Sequence, residues 1–362
     1  MVMIGVVVVV NMCVETSGSK FTRGGVEGNE MRVNEIMNTG NTTRPVVLWH
    51  GMGDACCEKR SLGPVVQRVK KKLGADARVE SLVVASGQDV DDDASTFAQV
   101  YSSFFGNALE QVDAVCAYLS SKYGTEPLNL VGFSQGGQLL RALVQRCDTI
   151  GVHNLITLGA QHQGVMTIPG CTDDTHTPSG RTSSGGSEGS MSSDDVVATA
   201  TATSAAGSRG GSWGLCAAMQ RLVGIGAYTP VVQARSIQAQ YFKDPYKLEA
   251  YTARNIFLAD INNERDGKEP DLHYAERLGR VNQLVMFRFD NDTTVVPRDS
   301  AWFSFFNGTA LVPMEETGAY DALDLRALNE QGKIARLHSP FAHMAFSLDW
   351  FESSVIEPFL MQ

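Results

Sequence analysis

The sequence predicts an α/β fold: a mostly parallel central sheet with helices on both faces and an inserted cap. Three observations predict it. Short apolar runs alternate with segments of helical spacing, the pattern of parallel strands joined by crossover helices. A serine stands between two glycines at one strand-to-helix junction, Gly132-Phe133-Ser134-Gln135-Gly136. The alternation is interrupted by a tract from Thr172 to Ser212 with almost no large apolar side chain.

Residues 1–43 read as a lead. Met1 to Val10 are nearly all apolar, with small residues at Ser17 to Ser19, so 1–18 reads as a signal peptide although its basic leading segment is missing. Residues 19–43 read as a disordered stretch. Pro45 to His50 is a buried strand that ends in the loop Gly51-Met52-Gly53-Asp54. A helix follows with Val65, Val66, Val69 and Leu73 on one face, then a strand at Val79 to Val84. Thr96 to Leu119 reads as one helical segment with Val100, Phe104, Leu109, Val112 and Cys116 as its stripe. Leu128 to Val131 is the next strand, and the helix behind it carries Leu139, Leu140, Leu143, Val144 and Cys147. Leu155 to Leu158 is a further strand. Residues 165–275 read as a cap inserted into a core of 44–164 and 276–362, with helical pieces between Leu215 and Leu258. Within it, 172–212 cannot bury enough surface to offset its ordering entropy and is expected to be a disordered loop. Asn282 to Phe289 and Lys333 to His338 are the last core strands. Phe346, Trp350, Phe351, Val355, Ile356 and Phe359 belong to a closing helix.

With 362 residues, 43% apolar and 19% charged, the chain can bury a large core. Its net charge of −10 argues against nucleic acid, since an acidic protein gains nothing from a phosphate backbone. The one basic cluster, Arg68 to Lys72, reads as a solvated helix face. An apolar run of about ten residues is too short to span a bilayer. Of the seven cysteines, loss of Cys13 with a signal peptide leaves six, an even set for an oxidising compartment: Cys56, Cys57, Cys116, Cys147, Cys171 and Cys216. Their spacings suit no zinc site, and nothing calls for a metal or other cofactor. Asn41, Asn291 and Asn307 head Asn-x-Thr sequons, which acquire meaning in the secretory route.

The flanked serine reads as a nucleophile elbow, the strained strand–turn–helix of α/β hydrolases, in which only glycine fits at Gly132 and Gly136. A serine nucleophile needs a base, and the base an orienting acid; in this fold they follow in the order Ser, Asp or Glu, His. Asp290 and Asp292 lie just past the strand ending at Phe289, and position alone does not separate them. For the base, His343 lies in the loop before the closing helix, where it can reach back over the elbow. His50, His162 and His273 are out of order, and His338 sits inside a strand that points it into packing or hydrogen bonding. The oxyanion donors are expected to be the backbone N–H of Gln135 and that of Met52, whose flanking glycines let the loop turn it inwards. Each is worth roughly 3 kcal/mol of barrier.

Several separate blocks then resemble the palmitoyl-protein thioesterase family. They are Val47-Leu48-Trp49-His50-Gly51-Met52-Gly53-Asp54-Ala55-Cys56-Cys57, Gly132 to Gln138, Gly159-Ala160-Gln161-His162-Gln163-Gly164-Val165 and Ile256-Phe257-Leu258-Ala259-Asp260-Ile261-Asn262. The resemblance runs from about residue 45 to the C-terminus. It implies a lysosomal or secreted serine thioesterase that removes palmitate from cysteines of S-palmitoylated proteins or peptides, with no cofactor. It implies a triad of Ser134, Asp292 and His343, with Asp292 preferred because Asn291-Asp292-Thr293 matches the family's sequon-linked acid. It also implies Met52 and Gln135 as oxyanion donors and disulfides Cys56–Cys57, Cys116–Cys147 and Cys171–Cys216. Adjacent cysteines are the least suited of these to disulfide geometry. Two departures stand out. The last cysteine pair is separated by the low-complexity tract, and Ser339-Pro340-Phe341-Ala342 replaces the acidic residues that precede the family's histidine. A lipase or general carboxylesterase shares the triad and differs in groove shape. A non-catalytic lipid-binding member of the fold is disfavoured because every required group is present.

Overall fold

The computed structural model describes residues 8–12, 43–86, 92–167, 196–198 and 226–362. Seven strands form one sheet in the order β1-β3-β2-β4-β5-β7-β10. They are β1 (Val8–Met12), β2 (Val46–Trp49), β3 (Val79–Ser86), β4 (Pro127–Phe133), β5 (Gly151–Leu158), β7 (Gln283–Phe289) and β10 (Ile334–Ser339). All neighbours are parallel except β1, which pairs antiparallel with β3 at the edge. Of the expected signal segment 1–18 only β1 is described. Of the tract 172–212 only β6 (Val196–Ala198) is, paired with β11 (Ala345–Ser347). Val196 and Val197 are the tract's one apolar β-branched pair, which is what a strand there requires. A small ribbon joins β8 (Phe305–Phe306) to β9 (Leu311–Val312).

Strand alternation divides the core in two. In β2, Val46 and Leu48 face one side and Val47 and Trp49 the other, all essentially buried. The first side meets helix α1 (Leu62–Leu73) and the C-terminal segment around Phe346, Phe351 and Val355. The second meets α3 (Ala108–Tyr123) and α4 (Gln135–Arg146), together with the helix Leu272–Gly279 through Leu278. The basic cluster on α1 is not simply solvated. Arg68 pairs with Asp349 at 2.7 Å and Glu352 at 2.9 Å, and Lys72 with Glu352 at 2.8 Å and Glu357 at 2.6 Å, tying α1 to the closing helix.

Thr96 to Leu119 is two helices, not one. Helix α2 (Asp92–Phe104) stops before Gly106, whose φ of 129° suits only glycine, and α3 starts from Asn107, whose side chain accepts from the Leu109 N–H.

Cys116 and Cys147 are joined, with Cα atoms 5.6 Å apart, linking α3 to the end of α4. Cys56 and Cys57 are both disulfide-bonded. Cys171, Cys216 and Asn41 lie outside the described residues; Asn291 and Asn307 are exposed.

Candidate active site

Strand β4 runs straight into α4 through Ser134, whose φ of 51° is left-handed, a conformation that side chains adopt only under strain. The turn is held because the Ser134 N–H donates to the Leu158 carbonyl at 2.8 Å, and the Gly137 N–H to the Ser134 carbonyl at 3.0 Å. A Cβ on Gly132 would lie 2.3 Å from the Gly137 Cα, and one on Gly136 2.3 Å from the Trp49 carbonyl oxygen. Gly136 is thus required by the end of β2, and Gly137 joins Gly132 in the close approach.

The parallel neighbours β7 and β10 deliver the next two groups side by side. Their following loops are laced together: the Asp290 N–H donates to Ser339 O at 2.8 Å, the Asn291 N–H to Phe341 O at 3.2 Å, and Asn291 Nδ2 to Pro340 O at 2.8 Å. Asp292 and His343 therefore arrive together. His343 Nδ1 and Asp292 Oδ2 are 2.6 Å apart, and His343 Nε2 is 2.9 Å from Ser134 Oγ. The carboxylate's other oxygen, Oδ1, accepts from the Thr294 and Val295 N–H groups at 2.8 and 2.9 Å. Both side chains are almost wholly buried, 2% exposed for Asp292 and 5% for His343. A buried charge-assisted bond of this length fixes the imidazole with Nδ1 as donor, leaving Nε2 to accept from the hydroxyl.

The oxyanion candidates flank the serine. Gln135 is the first residue of α4, so helix geometry gives its N–H no intrahelical partner. A Cβ on Gly51 would sit 3.3 Å from the Ser134 Cβ, so the loop carrying Met52 runs against the nucleophile.

The rival residues are engaged elsewhere. His338 Nδ1 meets Asp290 Oδ1 at 3.0 Å on the exposed side of β10, and that bond holds the Asp290 carboxyl below its usual range. His50 is buried and its Nδ1 faces the Gly51 carbonyl at 2.9 Å; burial lowers its pKa. His273 is exposed at a helix start. His162 is wholly buried, stacked 4.7 Å from the Phe303 ring, with Nε2 3.1 Å from Thr157 Oγ1. Burial and the nearby Arg141 guanidinium push its pKa well below the ordinary value, which keeps it neutral.

Arg141 explains why distant motif blocks converge. It is fully buried on α4 and donates to His162 O, Ile261 O, Gln145 Oε1 and Asn262 Oδ1 at 2.8–3.3 Å. Burial pushes its pKa down to about 9, still charged at neutral pH. One residue on from His162, Gln163 accepts from the buried Lys243 ammonium at 2.6 Å, and Lys243 also pairs with Glu264 at 3.0 Å. The Arg141 contacts brace the helix that the nucleophile caps.

Gly159, just past β5, supports the base directly. With φ +59°, a Cβ there would meet Met344 Cε at 2.7 Å, Phe289 Cδ2 at 3.0 Å and His343 Cε1 at 3.1 Å. Gly159→Ala is expected to lower kcat by about 10–100-fold, the usual penalty for an ångström-scale displacement of a reacting group. Turnover alongside a melting curve checks it: unchanged kcat in a folded variant would show that the ring has room.

A family model described as palmitoyl protein thioesterase matches residues 45–343, a span holding the elbow, Asp292 and His343. Palmitoyl-protein thioesterase 1 of Caenorhabditis elegans is 32% identical over 326 residues, covering 88% of this chain and 92% of the relative. Palmitoyl-protein thioesterase 3 of Dictyostelium discoideum is 28% identical over 299 residues, 81% of this chain and 83% of the relative. A protein named lysosomal thioesterase PPT2, from Mus musculus, is 26% identical over 214 residues, 58% of this chain and 57% of its own. A match across most of the chain places it: the chain belongs to the palmitoyl protein thioesterase family.

Proposed function

We propose that the protein hydrolyses long-chain fatty acyl thioesters on cysteines of S-palmitoylated proteins or peptides through an acyl-Ser134 intermediate. The observation that carries this reading is His343 bridging Ser134 Oγ at 2.9 Å and Asp292 at 2.6 Å in a chain of this family. His343 Nε2 takes the hydroxyl proton as Ser134 attacks the thioester carbonyl. The N–H groups of Gln135 and Met52 hold the developing oxyanion, and the cysteine thiolate leaves. The imidazolium gives its proton to the departing thiolate, so His343, neutral again, takes a proton from water as that water attacks the acyl-serine, and returns it to Ser134 Oγ as the fatty acid is released. Asp292 orients the imidazole and stabilises the imidazolium each time it forms. A thiolate leaves readily, so the acid step is undemanding.

The acyl chain requires an apolar groove, which we place between the core and a cap formed by 165–275. We propose a lysosomal or secretory address, with 1–18 as a signal peptide and Asn41, Asn291 and Asn307 as glycan acceptors. Among the described residues no helix is long and apolar enough to cross a membrane. Rates on S-palmitoyl peptides and on triglycerides test the substrate class. Faster thioester cleavage is expected; a preference for triglycerides would make the protein a lipase.

A further inference from the structure

We propose that Ser103, at the C-terminal end of α2, is a positioning residue that sets the aim of both oxyanion donors. This rests on the reading of Met52 and Gln135 given above. The Ser103 hydroxyl accepts from the Gly53 N–H at 2.8 Å while donating to the Val100 carbonyl at 2.7 Å. The proton it gives to its own helix turns a lone pair towards the loop, so it is a committed acceptor. Gly53 is one peptide past Met52, has a left-handed φ of 77°, and lacks a side chain to anchor it. Its N–H bond is thus a main restraint on the direction of the neighbouring Met52 N–H.

The Ser103 carbonyl, near the end of α2, holds the side chain of the residue whose backbone N–H is the second donor. It accepts from Gln135 Nε2 at 3.1 Å and from Gln238 Nε2 at 3.1 Å. Carbonyls in the last turn of a helix lack intrahelical partners, so this oxygen is free to serve two side chains. Gln99, one turn earlier on the same face of α2, accepts from the Cys56 N–H at 3.0 Å and steadies the far end of the loop. Ser103 is buried, 3% exposed, so water does not compete for these bonds. One residue therefore ties together the Met52 loop, the Gln135 side chain and, through Gln238, the helix Ile237–Gln240 of the inserted segment.

The test is steady-state kinetics on an S-palmitoyl peptide for Ser103→Ala, Ser103→Cys and Ser103→Thr. Thermal melting and fluorophosphonate labelling of Ser134 are followed in each. Ser103→Cys keeps the volume with a weak acceptor, so it serves if Ser103→Ala does not fold. Removing one oxyanion donor costs about 10²–10³-fold, so misaiming the donors should lower kcat by roughly 10–100-fold, with KM within about twofold. Ser103→Thr, which restores the oxygen, should recover most of the loss. Wild-type kcat in folded Ser103→Ala or Ser103→Cys overturns the proposal. So does an equal loss in Ser103→Thr, or a loss confined to KM, since those belong to packing. If Ser134 of the unmodified protein takes no label, the nucleophile reading itself fails, a different outcome from a labelled Ser134 with unaltered kcat.

Discussion

Ser134→Ala is expected to abolish thioester hydrolysis, with turnover falling about 10⁵–10⁶-fold, while the protein stays folded. Among the described residues the Ser134 hydroxyl, 2.9 Å from His343 Nε2, is the group placed to attack a carbonyl, and its removal takes away what the base activates. Stability should hardly change. Alanine meets the same left-handed backbone as serine, and the turn is fixed by main-chain bonds to Leu158 and Gly137 that the substitution leaves intact. Retained turnover in a folded variant would remove the enzyme reading at this site. Circular dichroism and a melting curve read the folding; release of free thiol from an S-palmitoyl peptide reads the activity.

Asp292→Asn should cost about 10⁴-fold in kcat with little structural change. The reason lies in how the acid is held. Oδ1 accepts two loop N–H groups, from Thr294 and Val295, so an asparagine must keep its carbonyl oxygen on that side. Its amide nitrogen then faces His343 Nδ1, which is forced to accept rather than donate. The ring proton moves to Nε2, and the imidazole can no longer take the proton from Ser134. Asp292→Ala leaves the tautomer free and lacks this inversion. A drop of less than tenfold for Asp292→Asn would show that the histidine does not depend on this carboxylate.

Much of this site was legible because its signals are local. A glycine-flanked serine between an apolar strand and an amphipathic helix has one geometric meaning, and the order of Ser134, Asp292 and His343 follows from where strands end. The choice between Asp290 and Asp292 was not legible from position. It is made in space, where Asp290 turns out to His338 on the exposed side and Asp292 turns in under two amide hydrogens. Gly159 was visible within a motif, but its need to be glycine depends on the His343 and Phe289 rings, from distant parts of the chain.

The α2–α3 break had a signal that a long helical stripe concealed. Gly106 followed by Asn107, with Glu110 three residues on, is a stop and a capping pattern in sequence. Reading through it hid the helix end at which Ser103 meets the Met52 loop. The block Gln161-His162-Gln163 was recognisable only as a resemblance. Its physical work, bracing α4 through Arg141 and Gln138, needs side-chain positions that no spacing rule supplies.

The most direct measurement is rapid acid quenching during the first turnover of an S-palmitoyl peptide, followed by mass spectrometry of the digested protein. A palmitoyl oxygen ester on the peptide containing Ser134, appearing and then decaying as fatty acid is released, is the predicted result. An acyl group on any other residue, or turnover that continues in Ser134→Ala, would contradict it.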